Sequence, residues 1–184
     1  MTAPLLLVTD IFGQHQTLQP LIDELERHFS AVMVLDPYNG QRFVFDSETQ
    51  AFEHFQSRCG AAGYQQKLQQ ILTSATAPFK LLAFSAGANA AWPLLTQANS
   101  ISKAALVYGN AIVDQPELKP NCPTQLWLCD SDRGVKALQS QLNQHADLLL
   151  SPLPHGYFNP RSEHYQPVAA TQDLQILIRY LLRN

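Results

Sequence analysis

A serine, an aspartate and a histidine stand in this chain in the order expected when the serine sits on a strand-to-helix turn. Ser85 lies in Ala83-Phe84-Ser85-Ala86-Gly87, between a short apolar run and an alanine-rich, helix-forming segment. A serine hydroxyl is a poor nucleophile at neutral pH. It needs a base to take its proton, usually histidine, and an acid to orient that base. The usual frame for a serine raised on a sharp strand-to-helix turn is G-x-S-x-G. Here Ala83 holds the first glycine position and Gly87 the second. Small residues suit such a turn because strand and helix backbones approach closely around a crowded nucleophile. An ordinary strand, turn and helix capped by serine would read the same over five residues, so the partners decide.

On a strand-turn-helix nucleophile the acid and then the histidine follow the serine along the chain. Leu126-Trp127-Leu128-Cys129 runs straight into Asp130 and Asp132, and His155 follows in Leu153-Pro154-His155-Gly156-Tyr157-Phe158. Asp132 is the better placed acid, because that group sits a few residues past its strand. Asp130 also suits a turn role, accepting from backbone amides. His145 lies before a strand, at the wrong sheet edge, and His164 follows a polar stretch. His15, His28 and His54 precede Ser85 and are expected to face solvent. A tetrahedral oxyanion needs two donors. The Ala86 amide is one, and the Ile11 amide in Asp10-Ile11-Phe12-Gly13 is the candidate for the other. Asp10, Phe12, Tyr38, Tyr157 and Phe158 are the candidates for substrate-pocket walls.

These residues need a scaffold. Apolar runs at 5–9, 31–35, 79–84, 104–108, 125–129 and 146–150 predict strands, mostly continuous as in a sheet buried on both faces. Helical patterns at 18–29, 47–58, 64–75, 86–98, 135–144 and 168–182 alternate with them, with a break around Gly60 and Gly63 and a bend at Pro93. The alternation predicts an α/β fold: a mostly parallel sheet of six or seven strands with helices on both faces. Ligands bind beyond the carboxyl ends of such strands. Asp10, Asp36, Ser85, Asn110, Asp130, Asp132 and His155 all fall at or just after predicted strand ends.

The 184 residues, 46% hydrophobic and 15% charged, predict one domain over 1–184 around one core. A net charge of -3 without a basic cluster argues against nucleic acid and anionic lipid as partners. Cys59, Cys122 and Cys129 form neither a disulfide framework nor a zinc motif, which fits the reducing cytoplasm. Pro4–Val8 is too short for a secretory or membrane segment and reads as the first strand. No nucleotide-binding glycine motif is present. The expected partner is a small-molecule acyl substrate, with no metal and no cofactor. Self-association as a homo-oligomer stays open.

Together these segments resemble the dienelactone hydrolase branch of the α/β-hydrolase family over most of the chain. Asp10-Ile11-Phe12-Gly13 is similar to that branch's E-I-F-G segment, and Leu35-Asp36-Pro37-Tyr38 to its A-P-D-L-Y region. Ala83–Gly87 occupies the elbow. Cys129-Asp130-Ser131-Asp132 resembles the G-x-x-D turn, which favours Asp132 as the acid. His155-Gly156-Tyr157-Phe158 resembles the H-x-F segment. The resemblance implies an α/β-hydrolase fold with little or no lid and a serine hydrolase acting on an ester, thioester or amide. Three departures stand out. Ser85 replaces the branch's cysteine, Asp10 replaces its glutamate, and Asn159 stands where its substrate-carboxylate arginine would, with Arg161 nearby but unmatched. They point away from dienelactone itself. A non-catalytic binding protein on the same fold and an acyltransferase are the competing readings.

Overall fold

The computed structural model describes residues 3–183. Six strands, β1 (Leu5–Val8), β2 (Val32–Leu35), β3 (Phe79–Phe84), β4 (Ile101–Val107), β5 (Thr124–Cys129) and β6 (Asp147–Ser151), form one sheet. Six helices accompany them: α1 (Gln19–Glu26), α2 (Glu48–Arg58), α3 (Gly60–Ser74), α4 (Ala86–Leu94), α5 (Val135–Leu142) and α6 (Pro167–Leu182). Every strand pair is parallel, in the order β2-β1-β3-β4-β5-β6. The chain therefore steps outward from β1 to β2, returns across β1 to β3, and then proceeds in one direction. That reversal leaves a crevice beyond the carboxyl ends of β1 and β3, where ligands bind in open α/β sheets.

Alternate strand residues feed two cores, as the two-residue period of a strand requires. Leu6, Val8, Leu81, Ala83, Ala104, Leu106, Leu126 and Leu128 pack with Tyr64 and Leu68 of α3, Trp92 of α4 and Val135 of α5. Leu5, Leu7, Leu82, Phe84, Ala105, Val107 and Trp127 pack with Leu25 of α1 and Leu174, Leu177 and Leu181 of α6. A smaller aromatic cluster of Phe12, Tyr38 and Phe45 sits over Ala51 of α2. Among the described residues no helix is long and apolar enough to cross a membrane, and all three cysteines are free.

The elements differ from expectation in four places, the first being α1, which stops at Glu26 rather than Phe29. Helix α4 stops at Leu94 rather than Ala98, because the chain beyond it tightens, with the Gln97 amide donating to the Leu94 carbonyl three residues back. The break between α2 and α3 falls at Cys59 and Gly60, where Gly60 takes φ +65, while Gly63 lies inside α3. Strand β4 begins at Ile101, three residues early, across a register shift at Phe79/Lys80. The histidines before Ser85 also depart from their expected exposure. His15 is buried, His54 packs among Tyr38, Phe43 and Phe45, and His28 is half-buried beside Glu24.

Gly87 is the tightest point of the fold. A Cβ there would lie 2.5 Å from the Thr9 carbonyl and 2.7 Å from that of Val8. Backbone cannot retreat as a side chain can, so Gly87→Ala should cost about 2–3 kcal/mol in urea unfolding. Burial, reinforced by the Arg161 charge, pulls the His15 imidazole down to about 4. The unfolded chain should bind that proton near pH 6.5. Between about pH 6.5 and about pH 4 the unfolded state thus holds a proton the folded state refuses. Stability should fall by up to about 3 kcal/mol as pH drops through that window, and His15→Gln should flatten the fall.

Candidate active site

Strand β3 delivers Ser85 at its carboxyl end, and α4 begins at the next residue. Ser85 holds φ 48 and ψ -113, a region that side chains avoid. The geometry is forced from both sides. The Ser85 amide donates to the Val107 carbonyl (2.9 Å), and its own carbonyl accepts from Asn89 of α4 (2.8 Å). Ala83, at the first glycine position of the frame, is fully buried within the strand, where a methyl group is accommodated. The close approach falls at Gly87 instead.

Three strand ends bring the expected groups together. Ser85 Oγ lies 2.9 Å from His155 Nε2, and His155 Nδ1 lies 3.1 Å from Asp132 Oδ2. Asp132 follows β5 and His155 follows β6. A carboxylate can only accept, so Asp132 fixes the proton on Nδ1 and leaves Nε2 free to accept from the serine hydroxyl. The chain of groups can take a proton from Ser85 and return it to a departing atom. Asp130 does not take part: its carboxylate pairs with Lys136 at 3.0 Å. The Tyr108 ring stands 4.9 Å, centroid to centroid, from the His155 ring.

Asp10 is buried beside this relay. Its Oδ1 accepts from the Phe12 amide (3.0 Å) and its Oδ2 from Asn159 Nδ2. Burial outweighs these donors and raises its carboxyl above the usual carboxylate range. Asp36, by contrast, accepts from the Tyr38 and Gly40 amides and from Gln14, which closes the turn after β2.

A cleft of about 390 Å³ opens at the sheet crevice. Asp10, Ile11, Phe12, Ser85, Ala86, Asn110 and His155 line it. Tyr38, Tyr157 and Phe158 do not reach it. The Tyr38 hydroxyl donates to the Ile11 carbonyl (2.6 Å), the Tyr157 hydroxyl to Asp173 of α6 (2.8 Å), and Phe158 packs on Phe84. Those three are core residues, drawn inward because each flanks a site loop that must be anchored. Walls that sequence reasoning missed come from α2 (Glu48, Phe52, Phe55), α4 (Asn89, Trp92) and Tyr108. Tyr108 was within reach, since it directly follows β4, two residues before Asn110. The α2 residues carry no local signal, because docking of that helix is decided by tertiary packing.

No protein-family model matches the sequence, and no curated protein sequence matches it. Solved structures do. A proposed dienelactone hydrolase of Klebsiella pneumoniae superposes with a TM-score of 0.76 at 15% identity, over 100% of this chain and 88% of its own. A dienelactone hydrolase-like promiscuous phosphotriesterase from metagenomic libraries gives 0.67 at 14% identity, over 96% and 84%. A cold-adapted esterase from an Arctic intertidal metagenomic library gives 0.60 at 17% identity, over 98% and 83%.

The Ser85 backbone yields a prediction separate from chemistry. Its positive φ carries roughly 1–3 kcal/mol of strain that glycine would not feel. Ser85→Gly should therefore unfold at higher urea than Ser85→Ala, by about 1 kcal/mol after glycine's greater unfolded-state freedom is subtracted. The six parallel strands, the helices on both faces and these superpositions give the chain the α/β-hydrolase fold that dienelactone hydrolase-like structures share.

Proposed function

We propose that the chain is a serine hydrolase that cleaves a small carboxylic ester or thioester through an acyl-enzyme. The observation that carries this reading is the Ser85–His155–Asp132 relay, held at a strained turn in the sheet crevice. His155 Nε2 takes the Ser85 proton as Oγ attacks the acyl carbon. The carbonyl electrons move to oxygen, and the Ile11 and Ala86 amides at the cleft receive that charge. Collapse of the tetrahedral species breaks the bond to the leaving group, which departs with the proton from His155. Water then enters, His155 takes one of its protons, and hydroxide attacks the acyl-serine. The second collapse returns the proton to Ser85 Oγ and releases the acid. Asp132 holds the imidazole tautomer and balances the transient imidazolium. Structures named as esterase and dienelactone hydrolase-like among those sharing the fold support this chemistry class.

A fluorophosphonate probe tests the nucleophile. Stoichiometric labelling is expected, with complete loss in Ser85→Ala. Well-folded protein that stays unlabelled overturns the reading. The acid is tested by kinetics on p-nitrophenyl esters. Asp132→Asn should lower kcat/KM by about 10²–10⁴-fold. Asp130→Asn should change it less than about threefold, because that carboxylate serves an exposed ion pair.

A further inference from the structure

Among the described residues, every acidic or basic side chain on the cleft wall other than His155 is a carboxylic acid: Asp10, Glu48 and Asp114 line it, and no lysine or arginine does. Glu48 opens α2, and its Oε1 lies 3.5 Å from where a Cβ on Gly156, the neighbour of His155, would stand. It makes no ion pair among the described residues. Its field reaches Asp10 and Tyr108, where, after burial as the larger cause, it adds to the upward shift of both groups. Asp114 pairs with Arg133 at 3.2 Å and both side chains are well exposed, so this pair adds little net field and Glu48 carries most of the charge at the wall. The amide of Asn159, rather than a cation, meets Asp10. Phe52, 51% exposed, presents aromatic surface at the cleft wall, with Phe12, Phe55 and Trp92 buried behind it. Aromatic faces attract cations and offer nothing to carboxylates.

We infer that this cleft selects by charge. It favours esters bearing an ammonium group, takes neutral esters less well and rejects carboxylate-bearing ones, with Glu48 as a specificity-determining residue. The inference rests on the reading of Ser85 as the nucleophile. Like charges brought together in a partly desolvated cleft repel strongly, and opposite charges gain in the same measure.

Three p-nitrophenyl esters test it: 4-(trimethylammonio)butanoate, its uncharged isostere 5,5-dimethylhexanoate, and the hemiadipate. Each rate is taken over its own uncatalysed background. The kcat/KM values should fall in that order, with at least about tenfold between the first and the last. Raising sodium chloride to about 0.5 M should compress the range. Glu48→Gln, which keeps the side-chain length, should shrink the cation-to-anion ratio by about threefold or more. If that variant fails to fold, the salt dependence of the wild type decides instead. Equal rates for the three esters, a faster hemiadipate, or a ratio unmoved by Glu48→Gln overturns the inference. So does protein that the fluorophosphonate labels but that cleaves none of the three, and the nucleophile reading then survives. Protein that is neither labelled nor active overturns both.

Discussion

Helix α4 meets strand β1 at a separation that glycine alone permits, and the site is built from that contact. With Gly87 against the carbonyls of Val8 and Thr9, the chain leaving β3 has room for one sharp residue before the helix begins. That residue is Ser85, and its positive φ is the geometric result. The same contact brings the start of α4 beside the loop after β1, so Ile11 and Ala86 face one cleft. Pressing a helix this close to a strand buries the alanine-rich face of α4 and gains packing. The strain at Ser85 is small against that gain, which is why a conformation unfavourable in isolation persists.

A second constraint joins parts of the chain that sequence keeps far apart. Asp10 and Asn159 are 149 residues apart, and their hydrogen bond ties the loop after β1 to the segment that carries His155. Burying a carboxyl group costs free energy unless its lone pairs are met. Here the Phe12 amide and the Asn159 side chain meet them. Asn159 in turn accepts from the Arg161 amide, and Arg161 reaches the Phe45 carbonyl. Tyr38 holds the Ile11 carbonyl from the other side. The groups around the relay are thus clamped by polar contacts made outside it.

Much of this was legible in the residues. The apolar runs that become β1, β3 and β5 are continuous because each strand is covered on both faces, and their ends match expectation within a residue. Ser85, Asp132 and His155 could be found because strand ends in a parallel sheet share one edge. What escaped prediction depends on three-dimensional packing. Tyr38, Tyr157 and Phe158 flank the right segments, yet their rings turn inward. Aromatic character cannot distinguish a wall from an anchor. His15 and His54 looked polar in the sequence but pack on aromatic rings, His15 on Phe12 and His54 on Tyr38, Phe43 and Phe45. Glu48 and Phe52 sit on a helix whose placement over the cleft no local pattern encodes.

The distribution of the relay over three strand ends has a bearing on how the chain matures. Ser85 and His155 lie 70 residues apart, and His155 and Asp132 meet only across β5 and β6. No short stretch of the polypeptide contains a working arrangement, and contacts of such long range form late because loop closure must come first. A nascent or half-folded chain therefore lacks the Ser85–His155–Asp132 arrangement, which comes together only once β5 and β6 have joined the sheet.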